Sequence, residues 1–244
     1  HAHFNTGNRK KMRTDLIKKY NIAAPRYTSY PTVPYWEDGE FSASTFFDHV
    51  IEAASQSNSN KGIGIYIHLP YCESLCTYCG CNKRITKNHS VEGPYIEAVV
   101  KEWEQYVNKI GKNPWISEIH LGGGTPTFFK PSNLEKLING ITTIADMVPD
   151  ADLAFEAHPN NTTKDHLQTL RQLGFNRMSL GVQDFDADVQ KAINRIQPFS
   201  AVKNVVDQAR KIGYSSINFD LVYGLPKQNM AVMQHTISKV LELM

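Results

Sequence analysis

Cysteine is scarce in this 244-residue chain, and none occurs outside one ten-residue window: Cys72, Cys76, Cys79 and Cys81 lie in the string HLPYCESLCTYCGCNK. With no distant thiol to pair with, an oxidised framework tying remote segments together is excluded. No apolar run approaches the length that spans a bilayer, and no signal-peptide pattern precedes the first domain, so reduced thiols in the cytoplasm are expected. Neither charge sign is in excess. The 26 basic and 24 acidic residues leave +2, too weak a field to imply nucleic acid or an anionic membrane, and neither is expected as a partner. Hydrolase motifs are missing too, with no Ser-His-Asp order and no nucleophile elbow. No histidine pair has the i, i+4 spacing of a helical metal site beside acidic partners. Of the histidines near strand ends, His68, His120 and His158, only His68 is singled out, as a candidate contact for metal or cofactor.

What remains is an enzyme-sized composition, 41% hydrophobic and 20% charged, able to bury a core in one or two domains. The opening His1-Ala2-His3 is not a native initiator, so roughly the first ten residues are set aside as a tag or trimming remnant. The crowded thiols read as ligands. Structural zinc commonly takes two separated pairs, and no second pair exists, which makes zinc the weaker alternative. Cysteines spaced C-x3-C-x2-C on a loop after a strand can hold three corners of a cubane iron-sulfur cluster and leave one iron open. Cys81 as a fourth ligand would close the cluster, but the single intervening Gly80 makes separate corners awkward, and its role stays open.

Along the chain, GIGIYIHLP (62–70), ISEIHLGGG (116–124), DLAFEAHP (152–159), NRMSLGVQ (176–183) and SINFDLVYGLP (216–226) are predicted strands bounded by Gly, Pro or polar residues. Between them, apolar residues recur at helical spacing in Tyr95–Val107, Leu134–Ile141 and Val202–Ala209, with a last helix over Met230–Leu241. Repeated βα units demand parallel strands, in a barrel or a doubly wound sheet, and periodicity does not choose. The polar run Ala53–Lys61 reads as a loop, giving an N-terminal arm and linker over 1–60 and the βα domain over 61–244.

In a parallel barrel, chemistry gathers where strands end. The first strand carries Tyr66 and His68 and runs into the cysteine loop. The second ends in Gly122-Gly123-Gly124-Thr125-Pro126, either a tight turn or a place where bare backbone approaches a ligand. The third ends in Glu156, a carboxylate in an apolar context that needs donors, either a sugar diol or a basic side chain. Gln183 closes the fourth strand, Arg195 is placed in the helix after it, and Asp220 lies in the fifth. Each has a plain alternative as a turn cap, a solvated cation or a loop start. Their joint placement at one barrel mouth favours a site.

The C-x3-C-x2-C spacing, with Tyr78 before the third cysteine, resembles the cluster loop of radical S-adenosylmethionine enzymes. CGCNK, PRYTSYPT (25–32) and YIHLPYC (66–72) narrow the resemblance to the oxygen-independent coproporphyrinogen III oxidase family of haem biosynthesis, over roughly residue 20 onward. The resemblance implies an α/β fold, a partial (β/α) barrel of parallel strands, here truncated before its sixth strand and without a C-terminal domain. It implies a 4Fe-4S cluster on Cys72, Cys76 and Cys79. One S-adenosylmethionine would be touched by Tyr66, Gly123 and Glu156, and a second by Tyr78, Gly124, Thr125, Gln183, Arg195 and Asp220. The implied activity is radical oxidative decarboxylation of two propionates of coproporphyrinogen III to give protoporphyrinogen IX, with an outside electron donor and acceptor and a monomeric protein. Lys83, Arg84 and Arg26 are unranked candidates for the propionates. PRYTSYPT, with Tyr27 and Tyr30, is either an arm over the substrate or a wrap around the barrel. Alternatives are a haem-delivery relative, another porphyrin-directed radical enzyme, and a closed cluster or zinc module.

Overall fold

Within each long strand, successive side chains point to opposite faces of the sheet, and the burial of this chain follows that alternation. Strand β1 (Ile63–Leu69) buries Ile67 and Leu69 but leaves Tyr66 58% exposed. After two short strands, β2 (Tyr71–Cys72) and β3 (Arg84–Ile85), β4 (Trp115–Gly123) buries Ile119 and Leu121, and β5 (Asp146–Ala157) buries Leu153 and Phe155. Strand β6 (Arg177–Gln183) buries Met178, Leu180 and Val182, and β7 (Ser216–Leu221) completes the set. The buried set packs on helices α3 (Glu92–Ile110), α4 (Pro131–Thr142), α5 (Lys164–Gln172) and α7 (Phe199–Ile212), through residues such as Trp103, Leu137, Leu170 and Val206.

The computed structural model describes residues 14–20, 35, 39 and 42–244, which divide into the units His1–Ser42 and Ala43–Met244. In the first unit, α1 (Thr14–Tyr20) places Asp15 in its first turn and Lys18 and Lys19 in its last, each sign matching the nearby end of the helix dipole. The opening residues and PRYTSYPT, with Arg26, Tyr27 and Tyr30, lie outside the described residues. In the second unit, the five long strands pair in parallel in the order β1-β4-β5-β6-β7. That sequential order decides what periodicity left open. With right-handed crossovers it sends the connecting helices α3, α4, α5 and α7 to one face, whereas a doubly wound sheet reverses direction part-way. The winding is that of a partial (β/α) barrel, and the face without helices carries Tyr66, His68, His120, Glu156, Ser179 and Asp220.

Several elements differ from expectation. Ala53–Ser55 is the end of a helix, α2 (Ala43–Ser55), whose Ala54 is buried, so the predicted loop begins only at Gln56. Helix α5, which buries only His166, Leu167 and Leu170, went unread, and α6 (Ala187–Ala192), the helix expected to carry Arg195, spans six residues, too short for a periodic stripe. Strand β5 starts six residues early, at Asp146, beyond Pro149, with a register shift against β4 at Ile116/Glu118. Helix α8 (Met230–Leu241) falls where the stripe placed it.

Candidate active site

The cysteine loop is an excursion with both ends tied. Where β1 ends, Arg84 N–H donates to Pro70 O (2.8 Å) and Thr86 N–H to Cys72 O (2.9 Å), closing the parallel β2–β3 ladder around residues 73–83. Lys83 Nζ donates to the carbonyls of Cys79 (2.9 Å) and Cys81 (3.3 Å), so it braces the loop and is committed there. The far side docks on the segment after α6. Thr77 N–H donates to Ile193 O (3.1 Å), Asn194 Nδ2 to Leu75 O (2.8 Å), and Arg195 Nη1 to Cys76 Sγ (3.6 Å). Tyr78 packs against a small apolar cluster of Val189, Ile193 and Leu225, and its burial pushes the phenol up to about 12.

Cys72, Cys76 and Cys79 are partly buried free thiols and Cys81 is exposed. Among the described residues, no three Cys, His, Asp or Glu side chains converge as a single-ion site requires. Thiols spread around a loop fit a cluster that takes one thiolate per iron. Burial raises the Cys72 thiol, opposed by a hydrogen bond from Thr125.

The glycine run after β4 is required by what lies against it. A Cβ on Gly122 would stand 2.8 Å from the Tyr66 ring and 3.0 Å from Glu156 Oε1. Gly123 adopts φ 118°, a region that favours glycine, with the His68 ring 3.0 Å from its Cβ direction. Glu156 proves half-exposed rather than buried: Gly123 N–H donates to its Oε2 (3.3 Å), and His120 Nε2 lies 3.5 Å from its Oε1. The basic side chain beside it is therefore a histidine, not an Arg or Lys. His68 Nε2 faces the carbonyl of Asn82 at 2.7 Å and so carries the proton, leaving Nδ1 to accept from the Tyr66 hydroxyl at 3.1 Å. Tyr66 also stacks on His120, and burial, then Glu156 and Cys81, raise its phenol.

A cavity of about 170 Å³ opens beside the cysteines. Every residue predicted for the nucleoside sites lines it except Tyr66, which stands just outside against Gly122. Arg195 is placed after the end of α6 rather than in it, beyond Asn194 at φ 54°. Its Nη2 donates to Gly181 O (2.7 Å) and its Nε to Gln197 Oε1 (3.1 Å). Gln183 sits at φ 67°, a strained backbone for a residue with a Cβ, at a bulge between β6 and β7. Buried glutamines brace that corner. Gln197 Nε2 donates to the Gly181 and Val182 carbonyls, Gln190 Nε2 donates to Gln197 O, and Gln197 N–H donates back to Gln190 Oε1. Asp220 accepts from Ser179 Oγ at 2.7 Å.

Sequence reasoning missed Ser179, Cys81 and His158 as lining residues. For Ser179 the signal was available, since it shares the open face with Gln183. His158 reads as structural from sequence, yet it lines the cavity, and burial beside Arg195 lowers its imidazole to about 3. Nothing in the sequence marked Gln190 and Gln197.

Residues 66–240 match the family model described as the radical SAM superfamily. The chain belongs to that superfamily. Membership brings with it a 4Fe-4S cluster and S-adenosylmethionine (SAM), which the thiol loop and cavity suit. Over 94% of its length the chain is 38% identical to the oxygen-independent coproporphyrinogen III oxidase of Pseudomonas aeruginosa and covers 49% of that protein. It is 40% identical to the one from Helicobacter pylori strain J99, covering 50%. Among solved structures it resembles Escherichia coli HemN, described as a radical SAM enzyme, with TM-score 0.82, 33% identity, and 94% of this chain against 50% of that one. The methyltransferase TsrM from Kitasatospora setae, at TM-score 0.52 and 15% identity, covering 75% of this chain and 35% of that one, shares the fold alone. The radical SAM chain thus spans about half the length of the curated relatives it matches. Among the described residues, no helix is long and apolar enough to cross a membrane.

Proposed function

We propose that this chain is the radical SAM core of an oxygen-independent coproporphyrinogen III oxidase, which decarboxylates two propionates to vinyl groups in haem biosynthesis. The observation that carries the reading is the gathering of Tyr78, Gly124, Thr125, Gln183, Arg195 and Asp220 on one cavity beside the cysteines, in a chain whose named relatives are such oxidases. Cys72, Cys76 and Cys79 would hold the cluster and leave one iron for SAM. When bound, the cluster and SAM supply a one-electron reductive cleavage that yields a hydrogen-abstracting radical.

The chain's own residues bind and orient. Glu156, held by Gly123 N–H, keeps lone pairs free for a ribose diol, with Tyr66 at its side. Asp220 has one carboxylate oxygen engaged by Ser179 and the other available to a second nucleoside, with Gln183 and Arg195 around it. Arg195, bonded through both Nη atoms, sets a fixed positive charge between the thiols and the cavity. Lys83 is spent on loop carbonyls, which leaves Arg84, exposed on β3, as the better candidate of the two for a propionate. An electron donor and an electron acceptor come from outside, and the enzyme works as a cytoplasmic monomer.

The experiment is anaerobic reconstitution of the full-length protein with iron and sulfide, reduction, and addition of SAM with and without coproporphyrinogen III. Substrate-dependent 5'-deoxyadenosine and loss of carbon dioxide are expected. Cluster formation without cleavage, or with haem binding in its place, would overturn the reading in favour of a haem-delivery relative.

A further inference from the structure

Thr125 stands where a threonine hydroxyl ordinarily caps a helix, and it does not cap. It is the N-cap of the 3-10 turn Pro126–Phe128, yet its side chain accepts no capping N–H. At 6% exposure its hydroxyl needs an internal partner. That partner is Cys72 Sγ, 3.3 Å away. The contact is held from both sides. Gly124 N–H donates to Leu69 O at 2.9 Å, and a Cβ on Gly124 would fall 3.0 Å from the same sulfur and 2.7 Å from Pro70 O. Only bare backbone lets this turn press so closely on the cysteine. A ligand thiolate has no proton to give, so in the loaded protein the hydroxyl is the donor.

We propose that Thr125 is a positioning residue for the cluster: its hydroxyl donates to the ligand sulfur of Cys72, fixes that sulfur's direction and makes the cluster easier to reduce. The inference rests on the reading of Cys72 as a ligand. A reduced cluster is the more negative state, and a donor on its sulfur stabilises that state more, raising the potential. This role belongs to the side chain; the cofactor contact carried by the family resemblance is left to the backbone of the same turn. Cys76 has its own donor in Arg195 Nη1, so the two ligand sulfurs are served by different groups.

The test uses full-length protein, reconstituted anaerobically, with the cluster followed by potentiometric EPR in the absence of SAM. Thr125→Val removes the hydroxyl and keeps the shape. At a fixed poise its ratio of reduced to oxidised cluster should fall about tenfold, equal to roughly 59 mV for a one-electron couple. Thr125→Ser should restore the wild-type midpoint. Where Thr125→Val takes up no cluster, Thr125→Ala serves with the same expected shift. An unmoved midpoint at normal iron content overturns the proposal, as does a variant whose only change is weaker SAM binding, since that assigns the hydroxyl to the cofactor. Cys72→Ser is measured alongside: if it retains wild-type iron and spectrum, the ligand reading itself has failed and the inference goes with it.

Discussion

The two faces of the five-stranded sheet are made by the same strands, and they do opposite work. On the helix side, Ile119, Leu121, Phe155, Met178 and Leu180 are all but fully buried and interlock with α3, α4, α5 and α7. On the open side, the alternate positions Tyr66, His120, Glu156, Ser179 and Asp220 are polar and stay at least partly exposed. Parallel sheets covered on both faces read as continuous apolar runs. Here, alternation with a period of two marks where the helices stop and the chemistry starts. Stability should therefore be concentrated in one set of residues and ligand affinity in the other.

The sharpest way to break that comparison is at Phe155, fully buried against Phe175 and Tyr214. Phe155→Ala should cost about 4 kcal/mol by urea unfolding, from lost transfer energy plus an unfilled cavity. A similar loss on the open side would contradict the division.

Next comes Glu92, a fully buried carboxylate at the start of α3. It receives the imidazole of His89 (2.6 Å), Lys130 N–H (2.8 Å) and Asn133 Nδ2 (2.7 Å), joining the first turns of α3 and α4. Glu92→Ala leaves those donors unanswered and should cost about 3 kcal/mol. Thermal melts of the two proteins would read it.

At the rim, pH is the probe. Burial holds His158 and His166 neutral, with the folded affinity for protons lowered below the ordinary value of 6.5, to about 3 for His158. Below pH 6.5 the unfolded chain binds more protons than the folded one, so this contribution is intact above pH 6.5 and is lost as pH falls toward 3. His158→Gln should show a shallower loss of stability over that window than the parent. Parallel acid titrations that superimpose would count against it.

The smallest effect on folding is expected at Ser179, on the open face. Ser179→Ala removes the 2.7 Å bond to Asp220. It should leave stability within about 0.5 kcal/mol while weakening SAM binding roughly threefold to tenfold, the worth of one hydrogen bond. Calorimetry on the reconstituted full-length protein would measure both.

The helix-covered face was legible in the sequence because a stripe of Leu, Ile and Val at the right period is a local pattern. The cysteine loop was legible because its spacing is itself the signal. Strand ends pointed to Glu156, Gln183 and Asp220, since a parallel barrel brings those ends together. Arg195 was found but misplaced, because Asn194 turns left-handed after a helix of only six residues and no periodicity announces that. The pairing of Gln190 with Gln197, the brace from Lys83 and the ring of His158 at the cavity wall come from tertiary packing. Each of those residue types more often lies in solvent, so nothing local distinguishes them.

The docking of the cysteine loop also sets an order of events during synthesis. Leu75 and Asn194, which bond across that junction, are separated by 119 residues of chain. At ribosomal rates of about 5–20 residues per second, the first leaves roughly ten seconds before the second exists. Through that interval the loop is tied at its base by the β2–β3 ladder and Lys83 but has nothing to dock against on its far side. The far wall of the cluster pocket therefore comes late, and metal delivered before Arg195 emerges meets a loop tied at its base but undocked.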